Sequence, residues 1–179
     1  MRFGTAIAMA LIFALTACGQ SAPSHDSAHA ASANSPEAVF LNNAAMFENY
    51  AIHAAELAQA RGQSDAVKTY AAGAITEHRA ILQQLTNAAR ESGLPAPDDA
   101  LDENYQSYLT MLEHQDPHSF DTTYSSQQSI AYVSASGQYD SFVASSGDSP
   151  LHAWAQSQTD HLHDGIAAAH ALADGQVEQ

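Results

Sequence analysis

Beyond Cys18 the chain contains no cysteine. A folded region without thiols cannot carry a disulfide scaffold, a thiol nucleophile, a thiolate-held iron–sulfur cluster or a haem attached through cysteine. Positive charge is scarce as well: five Lys and Arg residues stand against 20 Asp and Glu, a formal net charge of −15 with histidines neutral. No nucleic acid is expected as a partner, because binding one depends on neutralising phosphates with Lys and Arg, and peripheral docking on anionic lipid fails for the same reason. The acid excess fits a soluble, hydrated surface. Long apolar runs are missing too. The longest, Ala6 to Ala17, reaches about 18 Å as a helix at roughly 1.5 Å per residue, short of the ~30 Å hydrocarbon layer of a bilayer.

That short run follows a single basic residue, Arg2, and ends in Leu15-Thr16-Ala17-Cys18. The layout reads as a secretory signal over residues 1–17. Its last four residues resemble the bacterial lipobox, whose cysteine is lipidated and becomes the first mature residue. By that resemblance Cys18 is the lipidation site, and Gly19 after it favours the outer membrane of a Gram-negative cell. Loss of Arg2 with the leader leaves four basic residues against 20 acidic ones, a net charge of −16. Two or more acyl chains, at about 0.8 kcal/mol per buried methylene, tether a domain without spanning the membrane. Residues 18–34 read as the lipidated cysteine and a flexible tether, small, polar and aperiodic, with His25 and His29 as linker residues.

From Ser35 onward the chain marks its own helix starts. Ser35-Pro36-Glu37, Ser64-Asp65, Asp116-Pro117 and Ser149-Pro150 each place a capping side chain ahead of a proline or acid. Gly62, Ser92-Gly93 with Pro95 and Pro97, and Gly147 mark the ends. The apolar period between these marks is near 3.6, with no sustained alternation. The pattern predicts helices over about 36–61, 65–91, 98–114, 117–145 and 150–173. Four long amphipathic helices in two tightly turned pairs, joined by a long crossing segment with a short helix, make an all-α, antiparallel four-helix bundle over 35–174 the economical fold, with a tail over 175–179. "GQSDAVKTYA" (62–71) and "GDSPLHAWA" (147–155) share a layout that suggests a duplicated hairpin. Alanine fills much of each stripe, so the aromatics must supply much of the core.

The chain resembles a family of bacterial envelope proteins, domain of unknown function 4142, classed as ferritin-like. The resemblance covers about residues 37–173. It rests on the order and spacing of "FLNNAAMFENYAIHAAELA", "SDAVKTYAAGAITEH", "SGLPAPDDALD" and "FDTTYSSQQSIAY". It implies a periplasm-facing ferritin-like bundle of unproven activity. The family's acid–His pair in the second helix falls on Glu77 and His78. Its His–Glu pair in the fourth falls on Tyr132 and Val133, and its histidine in the fifth falls on Gly165.

A di-iron bundle takes a Glu from each of two helices and a Glu-x-x-His from each of the other two. The chain has no Glu-x-x-His, only the reversed His53-x-x-Glu56 and the shortened Asp160-x-x-His163. It also has no Gly-rich phosphate loop and no nucleophile elbow. A paired-carboxylate hydrolase needs two acids facing a cleft, and an alanine-packed bundle is expected to have none.

The stretch "QTDHLHDG" (158–165) holds two histidines about 200° apart on a helix, which cannot grip one ion. His163, opposite Leu162 and Ile166, is expected to face water, whereas His161 borders the apolar stripe. His78 sits squarely on its stripe between Ala74 and Ile81, and a buried imidazole needs partners for its ring nitrogens. His53, His78, Tyr132 and His161 are expected to converge inside the bundle.

Two functions compete. In the first, a lipid-anchored, non-catalytic binding or structural module uses the interior polar groups, with Gln128 among them, to satisfy one another and fix helix register. In the second, a metal-handling or redox protein binds a transition metal through His78, His53 and His161 with Glu77. No cofactor is required by the first. The protein partner or homo-oligomer, if any, is not encoded in a recognisable motif.

Overall fold

The computed structural model describes residues 34–145 and 147–175. Five helices account for most of them: α1 Pro36–Arg61, α2 Asp65–Glu91, α3 Glu103–His114, α4 Pro117–Ser145 and α5 Pro150–Ala173. The described residues contain no strand. The described residues form an all-helical fold, as the 3.6-residue period requires. Cys18, His25 and His29, and with them the leader, the lipidation site and nearly all of the tether, lie outside the described residues.

The caps form where the sequence places them. The hydroxyls of Ser35, Ser64 and Ser149 accept hydrogen bonds from the backbone N–H groups of Ala38, Val67 and His152. One start differs. α3 begins at Glu103, not near 98, because Asp98 folds back to accept the Ala100 N–H while its own N–H donates to Asn42. Asp102 then caps the helix through the Tyr105 N–H at 2.8 Å.

α1 packs on α2 and α4, α5 packs on α4 and α2, and α3 lies against α1 and α4. Contacts fix the directions. Phe40 meets Phe142 and Phe47 meets Tyr132, so α1 and α4 are antiparallel. Tyr139 meets Trp154 and Tyr132 meets His161, so α4 and α5 are antiparallel as well. Glu77 meets His161 while Ser92 meets Leu151, which makes α2 antiparallel to α5. Hence α1 and α5 run one way and α2 and α4 the other. Because α2 and α4 are parallel, residues 92–116 must return along the full length of the bundle, and they do so beside α1. Asp98 touches Asn42, Tyr105 stacks on Tyr50 at 4.4 Å, and the C-terminal end of α3 reaches Arg61. The Arg61 guanidinium donates to the carbonyls of Leu112, Glu113 and Gln115, the negative end of α3, and lies 5.2 Å from the Phe120 ring centroid.

Alanine sets the spacing. Ala44, Ala45, Ala51, Ala54, Ala55 and Ala58 of α1 are buried, as are Ala71, Ala74, Ala88 and Ala89 of α2, so the first pair packs closely. The rings of Phe40, Phe47, Tyr50, Tyr124, Tyr132, Tyr139 and Phe142 fill the space between the pairs. α4 comes close to the backbone of α5 at Gly165, where a Cβ would lie 2.2 Å from Cε1 of Tyr132. A Cβ on Gly137, mid-way along α4, would meet nothing within 4 Å. Gly137→Ala should therefore add about 1 kcal/mol of stability through helix propensity, while Gly165→Ala should remove about 1–3 kcal/mol by overpacking. Urea unfolding of the two variants checks this, and equal effects at both positions would contradict the packing.

Candidate functional site

The site begins with three stripes. On α1, Ala44, Ala51 and Ala55 leave room beside Glu48, which shares their arc at three- and four-residue spacing. On α2, His78 follows Ala71 and Ala74 and precedes Ile81 and Leu85. On α4, Tyr132 lies between Gln128 and Ala135. All of these residues are buried. The bundle thus brings a carboxylate, an imidazole and a phenol from three helices to one level.

They form a continuous hydrogen-bonded chain. Nδ1 of His78 lies 2.6 Å from Oε2 of Glu48, and Nε2 lies 2.9 Å from the Tyr132 hydroxyl. His78 is 0% exposed and Glu48 1%. A carboxylate accepts, so the short contact puts a proton on Nδ1 and leaves Nε2 to receive the Tyr132 hydroxyl. Phe47 seals the level by presenting its ring edge-on to both His78 and Tyr132. The Tyr70 phenol lies close enough to Tyr132 to influence its ionisation. Burial pushes the Tyr70 phenol up to about 12, and burial together with the charges around it drives Tyr132 well above the ordinary tyrosine range.

A second polar set lies at the edge of this level. Nδ1 of His161 stands 3.3 Å from Oε1 of Glu77, with the imidazole 22% exposed and the carboxylate 54%. Nε2 of His161 is buried and has no hydrogen-bond partner. The rings of His161 and His78 are 6.2 Å apart. A cleft of about 360 Å³ opens here between α2 and α5, lined by Tyr70, Gly73, Glu77, Tyr132, His161 and Asp164 among others. An alanine-packed bundle was not expected to open such a cleft. Gly73 leaves one of its walls bare, since a Cβ there would meet nothing within 4 Å.

Of the residues singled out from sequence, His78, Tyr132 and His161 come together as expected, and Glu77 joins them through His161. His163 is exposed, as its helical position required. His53 does not converge. It is 55% exposed and pairs with Glu56 at 3.5 Å across one helical turn. The reason is angular: His53, Glu56 and Ala60 share the solvent arc of α1 at three- and four-residue spacing, opposite the buried Ala51, Ala54 and Ala58. Gln128 also stays outside the network, its buried Nε2 without a partner, while its neighbour Gln127 accepts from the Tyr50 hydroxyl at 3.3 Å and donates to the Tyr108 carbonyl.

Glu48 is the residue that sequence reasoning missed. Its signal was an acid inside an alanine stripe, and α1 was read with too narrow a buried face. That face includes the side turned to α2, where Glu48 meets His78.

The set His78, His53, His161 and Glu77 does not suit a metal. Both nitrogens of His78 are engaged, His53 faces solvent, and Glu77 holds the Nδ1 of His161. Among the described residues no three His, Cys, Asp or Glu side chains are grouped to hold an ion.

Removing the hydrogen-bond donor to a buried carboxylate leaves that charge unsatisfied, at a cost of about 3 kcal/mol. His78→Leu should lose that amount in urea unfolding, and adding Glu48→Leu to it should recover most of the loss, because the stranded carboxylate goes too. Additive losses in the double variant would rule out the coupling.

Comparison with curated proteins and with solved structures gave no match for this chain. A family model described as Domain of unknown function (DUF4142) matches residues 21–172, most of the sequence and all five helices. The chain belongs to the DUF4142 family.

Proposed function

We propose that this domain is a non-catalytic structural or binding module, tethered by a lipid on Cys18 to the periplasmic side of the cell envelope, in the outer membrane. The observation that carries the structural half is the complete satisfaction of His78. An imidazole held by Glu48 on one side and Tyr132 on the other, at zero exposure, acts as a brace between α1, α2 and α4. It has no lone pair to offer a ligand. The tether is supported by the Leu15-Thr16-Ala17-Cys18 tetrad and by the aperiodic segment after it, which suits a spacer between lipid and domain. No described helix is long and apolar enough to cross a membrane. The acidic faces would meet a basic or neutral protein partner more readily than nucleic acid.

The experiment has two arms. Full-length protein expressed in a Gram-negative host should partition with outer-membrane fractions and take up labelled palmitate, and Cys18→Ala should abolish both. Uptake that persists in Cys18→Ala would refute the tether. In the second arm, thermal melts of the domain with copper, zinc or iron should show no shift. A metal at a hundred times its dissociation constant would add about 2.7 kcal/mol, so a shift of that size would favour the metal-handling reading instead.

A further inference from the structure

The chain from Glu48 through His78 to Tyr132 is a path for a proton as well as a brace. We propose that Tyr132 is a redox-active tyrosine that reduces one-electron oxidants of the radical class, such as organic peroxyl radicals, arriving at the α2–α5 cleft. In that step the oxidant takes one electron from the Tyr132 phenol. The phenolic O–H bond breaks and its proton passes along the 2.9 Å hydrogen bond to Nε2 of His78. A peroxyl radical becomes a peroxide anion, which takes a proton from water and leaves as a hydroperoxide. The protein keeps all its atoms, as a neutral tyrosyl radical beside an imidazolium.

Three observations single out Tyr132. The first is the proton acceptor. Of the seven tyrosines, Tyr132 alone has an imidazole at its hydroxyl among the described residues. Tyr50 donates to the Gln127 amide, which cannot take a proton, and the hydroxyls of Tyr124 and Tyr139 are buried without a partner.

The second is charge. Before oxidation the level holds a carboxylate beside a neutral imidazole, one buried negative charge. Afterwards it holds a carboxylate–imidazolium pair at 2.6 Å, with no net charge. Loss of an electron relieves an uncompensated buried anion, and in a low-dielectric interior that favours oxidation here over oxidation at a tyrosine in an uncharged pocket.

The third is access combined with shelter. Tyr132 and Tyr70 both line the cleft, so an oxidant in it lies within tunnelling reach of the ring. Yet Tyr132 is 2% exposed and has the Gly165 backbone against its face, which keeps a second radical from coupling to it. Because burial holds the phenol protonated, the electron leaves only as the proton moves, so the His78 acceptor governs the rate.

Photo-oxidation of the full chain with tris(bipyridine)ruthenium and a sacrificial acceptor, read by electron paramagnetic resonance, tests the proposal. A tyrosyl signal should form more slowly in heavy water than in light water. Tyr132→Phe should abolish it, and Tyr50→Phe should leave it unchanged. Glu48→Gln and His78→Gln should each slow its formation by about tenfold, the factor lost with one hydrogen bond to a charged group. A signal that survives in folded Tyr132→Phe overturns the proposal, and so does equal speed in the two solvents. If His78→Gln does not fold, the solvent comparison and Glu48→Gln decide.

Discussion

A carboxylate buried among alanines is the constraint around which the rest of the structure is arranged. Glu48 meets neither water nor a Lys or Arg side chain, and His78 is its partner. An isolated ionised carboxylate in such a place would cost far more than the stability of a domain of this size. His78 must therefore sit at the same level of α2. Tyr132 must then come from α4 to occupy the other ring nitrogen, and α5 must lack a side chain at Gly165 to let the Tyr132 ring in. One buried charge thus fixes the register of three helices and the approach of the fourth. Apolar packing is tolerant of sliding, particularly along alanine stripes, whereas a chain of directed hydrogen bonds is not.

The ends of the bundle are held by different means. Arg61 gathers the terminal carbonyls of α3, and Asp121 accepts from the N–H groups of Gln63 and Ser64, each at 2.8 Å, joining the turn after α1 to the start of α4. Ser92 accepts the Leu151 N–H and ties the exit of α2 to the first turn of α5. A polar brace at mid-height and backbone clamps at both ends give a molecule with few basic residues a role for each contact they make. Arg61 is the example: one guanidinium serves a helix terminus and an aromatic face together.

Helix number, caps and long-helix boundaries were legible in the sequence because they depend on local chemistry: Ser35, Ser64 and Ser149 cap where they stand, whatever packs later. The start of α3 was not, since it depends on Asp98 reaching Asn42 on another helix. His78 was legible because its stripe is narrow and its neighbours Ala74 and Ile81 are unambiguous. Glu48 was not, because its burial depends on His78 of α2 standing opposite it, and no periodicity within α1 announces that. His53 illustrates the same error in reverse, since an imidazole near the stripe was credited with burial that belongs to Ala54 beside it. Tyr132 and Gly165 are explained together: the large ring on α4 occupies the space over the bare backbone of α5.

The central claim is that the His78 imidazole is held between Glu48 and Tyr132, out of contact with solvent. Nitrogen-15 NMR of histidine-labelled protein tests it most directly. The account predicts one imidazole whose Nδ1 proton resonates far downfield and exchanges with water only through opening of the bundle. A His78 ring whose proton exchanges as fast as those of exposed His53 and His163 would contradict it.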